Sequence, residues 1–196
     1  MNKTIDYYNQ NAASFVEGTQ DVAFSEMQNT FLEYIPPGGH ILDFGCGSGR
    51  DAKYFKEMGF QVDAVDGSEE MVRIAAEYSG LPVKHMMFQE LDTVEEYDGI
   101  WACSSILHLD CEELKTVMCK IHTALKKDGI LYTSFKYGTF SGERNGRYFT
   151  DLTEEGLNQL LSEIGGFCTE KLWITSDVRP GRDNEKWLNV ILQKTE

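Results

Sequence analysis

Short apolar runs alternate with stretches of helical spacing along most of the chain, the signature of an α/β protein built on a mainly parallel sheet. The runs HILDF (40–44), FQVDAV (60–65), PVKHMM (82–87), DGIWAC (98–103) and GILYTSF (129–135) predict five strands. Between them, residues 50–58, 69–79 and 111–126 repeat apolar positions every three or four residues and predict helices. In the last of these, Leu114, Val117, Met118, Ile121 and Leu125 share one face, and KKDG, with Gly129 just beyond the basic turn, predicts its end. Residues 136–151, KYGTFSGERNGRYFTD, are polar and glycine-bearing and read as loop, after which Thr153 predicts the N-cap of another helix. GFCTEKLWIT (166–175) and EKWLNVILQK (185–194) predict two final strands. The intervening SDVRPGRDN, with Pro180 and Gly181 marking a turn, makes them an antiparallel pair at the sheet edge. No repeat, low-complexity segment or linker divides the 196 residues, which predict one domain.

Composition narrows the class. A hydrophobic fraction of 41% and an aromatic fraction of 12% suit a folded globular chain. No apolar run approaches the roughly 18 residues of a membrane span. The polar opening MNKTIDYYNQNA predicts no secretory signal. Five cysteines, odd in number and scattered without a CxxC pair, predict reduced thiols in a cytoplasmic protein and no metal site. Cys111 and Cys119 fall on a predicted helix and read as buried. A net charge of -14 argues against nucleic acid as a partner. The imbalance is uneven: residues 1–100 carry 6 basic and 18 acidic side chains, residues 101–196 carry 12 and 14. Capacity to handle an anion therefore lies in the second half.

The chemistry begins at HILDFGCGSGRDAKYF, where Gly45, Gly47 and Gly49 follow a strand and open a helix. A dinucleotide fingerprint GxGxxG would need glycine where Arg50 stands, and no GK[ST] follows for a Walker loop. Asp43, inside the strand end, would repel a pyrophosphate and attract an ammonium, by about 1 kcal/mol at 4 Å in water. Asp66, 17 residues past Gly49, can accept from both ribose hydroxyls. A ribose and an ammonium without phosphate describe S-adenosylmethionine.

Four blocks, DFGCGSG, VDGSEEM, YDGIWACSSILHL and LKKDGILYTSF, in this order and spacing over residues 36–136, resemble the class I S-adenosylmethionine-dependent methyltransferases. The resemblance implies a Rossmann-like α/β fold, with a seven-stranded sheet of five parallel strands plus an antiparallel edge pair and helices on both faces. It implies S-adenosylmethionine as cofactor and S-adenosylhomocysteine as product. Gly45, Cys46 and Gly47 would approach the methionine part and Asp66 the ribose. Gly67, Ser68 and Met71, with Met87, Phe88 and Gln89, would enclose the adenine, Gln89 standing where many members have aspartate. Cys103 and Ser104 would border the methionine. Residues 1–35 would form a helical lid, with Tyr8 on the cofactor, over a core of 36–136 and a substrate-side tail of 137–196.

For the acceptor the residues say less. In-line methyl transfer needs alignment and exclusion of water, and a base only when the nucleophile carries a proton. His108, after the fourth strand, is the candidate base or substrate contact, or else a satisfied residue at the start of a helix. Lys136, Tyr137, Arg144, Arg147, Arg179 and Arg182 predict a small anionic substrate, with Tyr137, Arg147 and Arg179 as its contacts, unless the arginines merely pair with surface acids. SFKYG, GRYFTD and RPGR with WLN resemble a subset of bacterial methyltransferases and bring no substrate with them. CSSI stands where DNA amino-methyltransferases carry [DNS]PP[YFW], so nucleic acid is not expected. A protein that binds S-adenosylmethionine as a sensor or partner subunit remains an alternative. A nicotinamide oxidoreductase is disfavoured by Arg50 and Asp43. The sequence specifies no oligomeric state.

Overall fold

The computed structural model describes residues 3–179 and 181–196, so Pro180 of the expected turn lies outside the described residues. Two helices, α1 (Lys3–Glu17) and α2 (Ser25–Leu32), precede the alternation. It runs β1 (His40–Phe44), α3 (Arg50–Glu57), β2 (Gln61–Asp66), α4 (Glu69–Ser79), β3 (Val83–His85), β4 (Tyr97–Ala102), α5 (Cys111–Ala124) and β5 (Leu125–Lys136). Next come β6 (Ser141–Arg144), β7 (Arg147–Thr150), α6 (Glu154–Ile164), β8 (Phe167–Ser176) and β9 (Lys186–Lys194). The main sheet has seven strands in the order β3-β2-β1-β4-β5-β9-β8. The first five are parallel, and β9 pairs antiparallel with both β5 and β8. Strand order reverses between β1 and β4, where Asp43 is in register with Trp101. An open α/β sheet offers its ligand crevice beyond the carboxyl ends of the strands at such a reversal.

Both faces of the central strands are buried, which is why they read as near-continuous apolar runs. On one face Leu42, Phe44, Ile100, Leu131 and Phe135 pack with the α5 stripe Leu114, Val117, Met118 and Ile121. On the other, Ile41, Trp101 and Tyr132 pack with Met27 and Phe31 of α2 and Phe55 of α3. Trp101 and Tyr132 stack at 4.0 Å. Each fully buried side chain of this kind stabilises the fold by about 1.5–3 kcal/mol. Capping follows the sequence. Asp110 caps α5 in a reciprocal box with Glu113, Ser68 caps α4 and Thr153 caps α6.

Four local expectations change. Helix α5 stops at Ala124, and KKDG belongs to β5. Leu125 is fully buried and in register with Tyr97, while Lys126 bonds Asp98 at 2.7 Å, so strand pairing wins over the helix stop. Strand β3 covers only Val83–His85, the chain turning away at Met86 and Met87. The loop read over 136–151 contains the hairpin β6–β7, turned by Asn145 and Gly146 at φ 53° and 78°. Two successive positive φ values are what a two-residue hairpin turn demands, and Asn-Gly supplies them. Cys111 and Cys119 are exposed, since the buried face of α5 is carried by Leu114, Val117, Met118, Ile121 and Ala124 instead. Among the described residues no helix is long and apolar enough to cross a membrane.

Candidate cofactor and acceptor site

A cavity of about 370 Å³ opens over the carboxyl ends of the parallel strands at the β1–β4 reversal. One half of it is shaped mainly by backbone. Gly45 and Cys46 both donate their N–H to the Val65 carbonyl at 2.9 Å, folding the loop onto the end of β2. Gly45 has φ +86°, and a Cβ there would lie 2.5 Å from that of Ser105. Gly49, at φ +81°, would carry a Cβ 3.0 Å from the Ala75 backbone, so its bareness lets α3 close on α4. Asp66 ties the two loops together: Gly47 N–H donates to Oδ2 and Ser68 N–H to Oδ1, each at 2.9 Å. Burial raises the Asp66 carboxyl above its ordinary range, and the two backbone donors oppose that shift. Gly67, Met71, Met87, Phe88 and Gln89 continue this wall, and Phe88 packs on Phe44 with ring centroids 4.8 Å apart. The Gln89 amide donates to Glu113 at 3.3 Å.

Helix α1 lies across this half. Ile5 sits above Gly67, and Phe15 above Gly47. Asn9 accepts from the Ser68 hydroxyl at 2.7 Å. Tyr8 meets Nε2 of His108 at 2.9 Å, while Nδ1 of His108 lies 2.6 Å from the Tyr148 carbonyl. A carbonyl only accepts, so Nδ1 bears the ring proton and Nε2 accepts from the Tyr8 hydroxyl. Arg147 donates in turn to the Tyr8 oxygen at 3.3 Å. Burial pushes His108 down to about 4, with the charges of Arg147 and Arg144 adding to it against the Tyr148 bond.

The other half is shaped by side chains from distant segments. Asp51 accepts from Gln28 (2.7 Å), Arg50 (2.8 and 2.9 Å) and the Trp101 indole (2.9 Å), and the Arg50 guanidinium covers the Phe24 ring at 4.3 Å. Asp177 is held by Arg179, by the Trp187 indole at 3.0 Å and by Lys136 at 3.8 Å, and its carboxyl sits well below the usual range despite burial. Trp173 and Asn189 complete the wall.

The cavity thus gathers Tyr8, Gly45, Cys46, Gly47, Asp66, Gly67, Met71, Phe88, Gln89, Cys103, Ser104, His108, Arg147 and Arg179. Three residues expected as contacts lie outside the cavity wall. Asp43 is buried with Oδ2 unpartnered, and burial, then the charge of Asp51, push its carboxyl well above the usual range. Ser68 is fully buried, its hydroxyl spent on Met71 N–H and Asn9. Tyr137 points away to Glu154 at 2.8 Å. His108, the candidate base or substrate contact or else a satisfied residue, has its accepting nitrogen occupied by Tyr8. Of the tail cations, Arg144 pairs with Asp151, Arg179 with Asp177, and Lys136 and Arg182 with Glu185. Among the described residues Arg147 has no carboxylate within 4.0 Å, and its Nε is buried without a partner. Sequence reasoning missed Phe24, Asp51, Trp173, Asp177 and Asn189. Of these only Asp51, beside the glycine loop, carried a local signal.

The strand order and its reversal define a Rossmann-like fold. Residues 41–129 match the family described as "Methyltransferase domain". An "Uncharacterized methyltransferase" of Staphylococcus carnosus (strain TM300) is 28% identical over 161 residues, 74% of this chain and 77% of that one. "Putative methyltransferase YqeM" of Bacillus subtilis (strain 168) is 30% identical over 114 residues, 52% of this chain and 46% of that one. Among solved structures, 1,6-didemethyltoxoflavin-N1-methyltransferase of Burkholderia thailandensis, with bound 1,6-didemethyltoxoflavin and S-adenosylhomocysteine, shares the fold. Its TM-score is 0.80 at 23% identity, over 98% of this chain and 87% of that one. The similarity to methyltransferases thus falls on the strand-and-helix core, residues 41–129, and the solved structures share the fold over nearly the whole chain.

Proposed function

We propose that this enzyme methylates a small anionic molecule held in the half of the cavity bounded by Phe24, Trp173 and Arg147. The observation that carries the reading is the division of one continuous cavity into a backbone-walled half and a side-chain-walled half, with one guanidinium left without an acid. The first half fits the cofactor. Gly47 carries no side chain where the cradle is open, Asp66 keeps lone pairs for a ribose diol, and Met71, Met87 and Phe88 offer apolar surface to a base. Bound there, S-adenosylmethionine supplies a methyl group activated by a sulfonium. The protein's part is alignment and exclusion of water. The described part of the N-terminal segment, residues 3–35, acts as the lid, with Tyr8 fixed by His108 and Arg147 at the join between the halves. Arg147 attracts the anionic end of the acceptor, and the Arg179 pair shapes the wall beside it.

Thermal denaturation tests the cofactor half. S-adenosylmethionine or S-adenosylhomocysteine at 100 times its dissociation constant should add about 2.7 kcal/mol of stability. NADH should add none, and a shift with NADH alone overturns the assignment. Transfer of labelled methyl into a metabolite extract tests the acceptor half. Binding without transfer would make the protein a sensor.

A further inference from the structure

Resting on that methyl-transfer reading, we propose that the accepting atom is a carboxylate oxygen and the product a methyl ester. The argument begins with proton acceptors. Alcohols, phenols and ammonium groups reach an active site protonated and need a base in the transition state. Among the described residues of the cavity wall none is free to act as one. Nε2 of His108 already accepts the hydrogen bond of the Tyr8 hydroxyl. Asp51 is spent on four donors and Asp177 on Arg179, Trp187 and Lys136, while Asp66 holds two backbone N–H groups and gives its remaining lone pairs to the ribose of the cofactor reading. Glu26 is exposed on the rim, in water.

Charge points the same way. The Arg147 guanidinium lies among aromatic rings, 4.5 Å from Tyr7, 5.2 Å from Phe149 and 5.7 Å from Tyr8, facing no carboxylate of the described residues. A neutral acceptor would leave this cation unmatched in the same cavity as the sulfonium, with the Coulomb repulsion that a low-dielectric pocket amplifies. A carboxylate answers both demands. It is already ionised near neutral pH. One of its oxygens accepts from the guanidinium while the other attacks. The new bond joins that oxygen to the methyl carbon as the methyl–sulfur bond breaks, its electron pair passing to sulfur. Anion and sulfonium become a neutral ester and a neutral thioether, and no proton moves.

The test uses the full chain with S-adenosylmethionine tritiated in the methyl group and a deproteinised metabolite extract, followed by alkaline treatment. Methyl esters hydrolyse under these conditions, so most of the transferred label should leave as volatile methanol. Arg147→Ala should lower transfer at limiting extract at least 10-fold and recover at higher extract, with Arg147→Lys between it and the wild type. The thermal shift with S-adenosylmethionine should be the same in all three, showing that they fold and bind cofactor. Label retained in a base-stable product overturns the ester assignment while leaving methyl transfer standing. A normal thermal shift with no label transferred overturns both readings.

Discussion

The cofactor half and the acceptor half of the cavity share a floor but are made of different material. The first is main chain: three glycines at positive φ, a pair of N–H groups on one carbonyl, and a carboxylate that grips two further N–H groups. The second is side chain: an Arg50–Asp51 pair under Phe24, an Arg179–Asp177 pair beside Trp187, and Arg147 among its rings. Main-chain geometry recognises a ligand that never changes, and a few side-chain substitutions opposite can re-specify the acceptor without disturbing it. On the proposed division, specificity would be separable from cofactor use.

The comparison breaks most readily at Gly45. Gly45→Ala adds a Cβ 2.5 Å from Ser105 and forces an L-residue to φ +86°. We expect a loss of about 3 kcal/mol of stability in urea titrations, together with lost cofactor binding. Stability within about 0.5 kcal/mol of wild type would mean the loop yields freely.

His108 marks the join of the two halves, and its effect follows pH. Its folded value near 4 lies below the ordinary 6.5, so between those values the unfolded chain binds the extra proton. Stability is therefore present above pH 6.5 and falls as pH drops towards 4, by at most on the order of 3 kcal/mol from this group. His108→Gln can keep both hydrogen bonds without titrating. The difference in unfolding free energy between pH 7 and pH 4.5 should be smaller in the variant. An identical slope would show that the ring is not held neutral.

A smaller effect sharpens the contrast. Asp66→Ala should weaken S-adenosylmethionine binding by about 1.5–3 kcal/mol in calorimetry. If methyl transfer is then measured at saturating cofactor, the dependence on acceptor concentration should stay as in the wild type. Unchanged cofactor affinity would put the ribose elsewhere.

Legibility in the sequence followed the same divide. The glycine loop, Asp66, the α5 stripe and the β8–β9 pairing are local patterns, each written within one or two turns of chain. The Asn145–Gly146 turn was equally local, but the polar residues around it read as loop, so the hairpin that carries Arg147 was missed. Asp43 and Asp66 look alike in sequence, one inside a strand end and one at its tip, yet Asp43 is in register with Ala64, two residues short of Asp66, so Asp66 reaches the cavity while Asp43 stays buried on the same face. The acceptor wall draws on Phe24, Asp51, Trp173 and Asn189, which tertiary packing alone brings together. Which arginine faces no carboxylate among the described residues depends on neighbours such as Asp151 and Asp177, and no periodicity reports that.

Because the carboxylate of Asp66 grips Gly47 and Ser68 in the free protein, the cradle is ordered before anything enters it. The conformational entropy of fixing that loop is surrendered during folding, and none of it is charged again at each catalytic cycle.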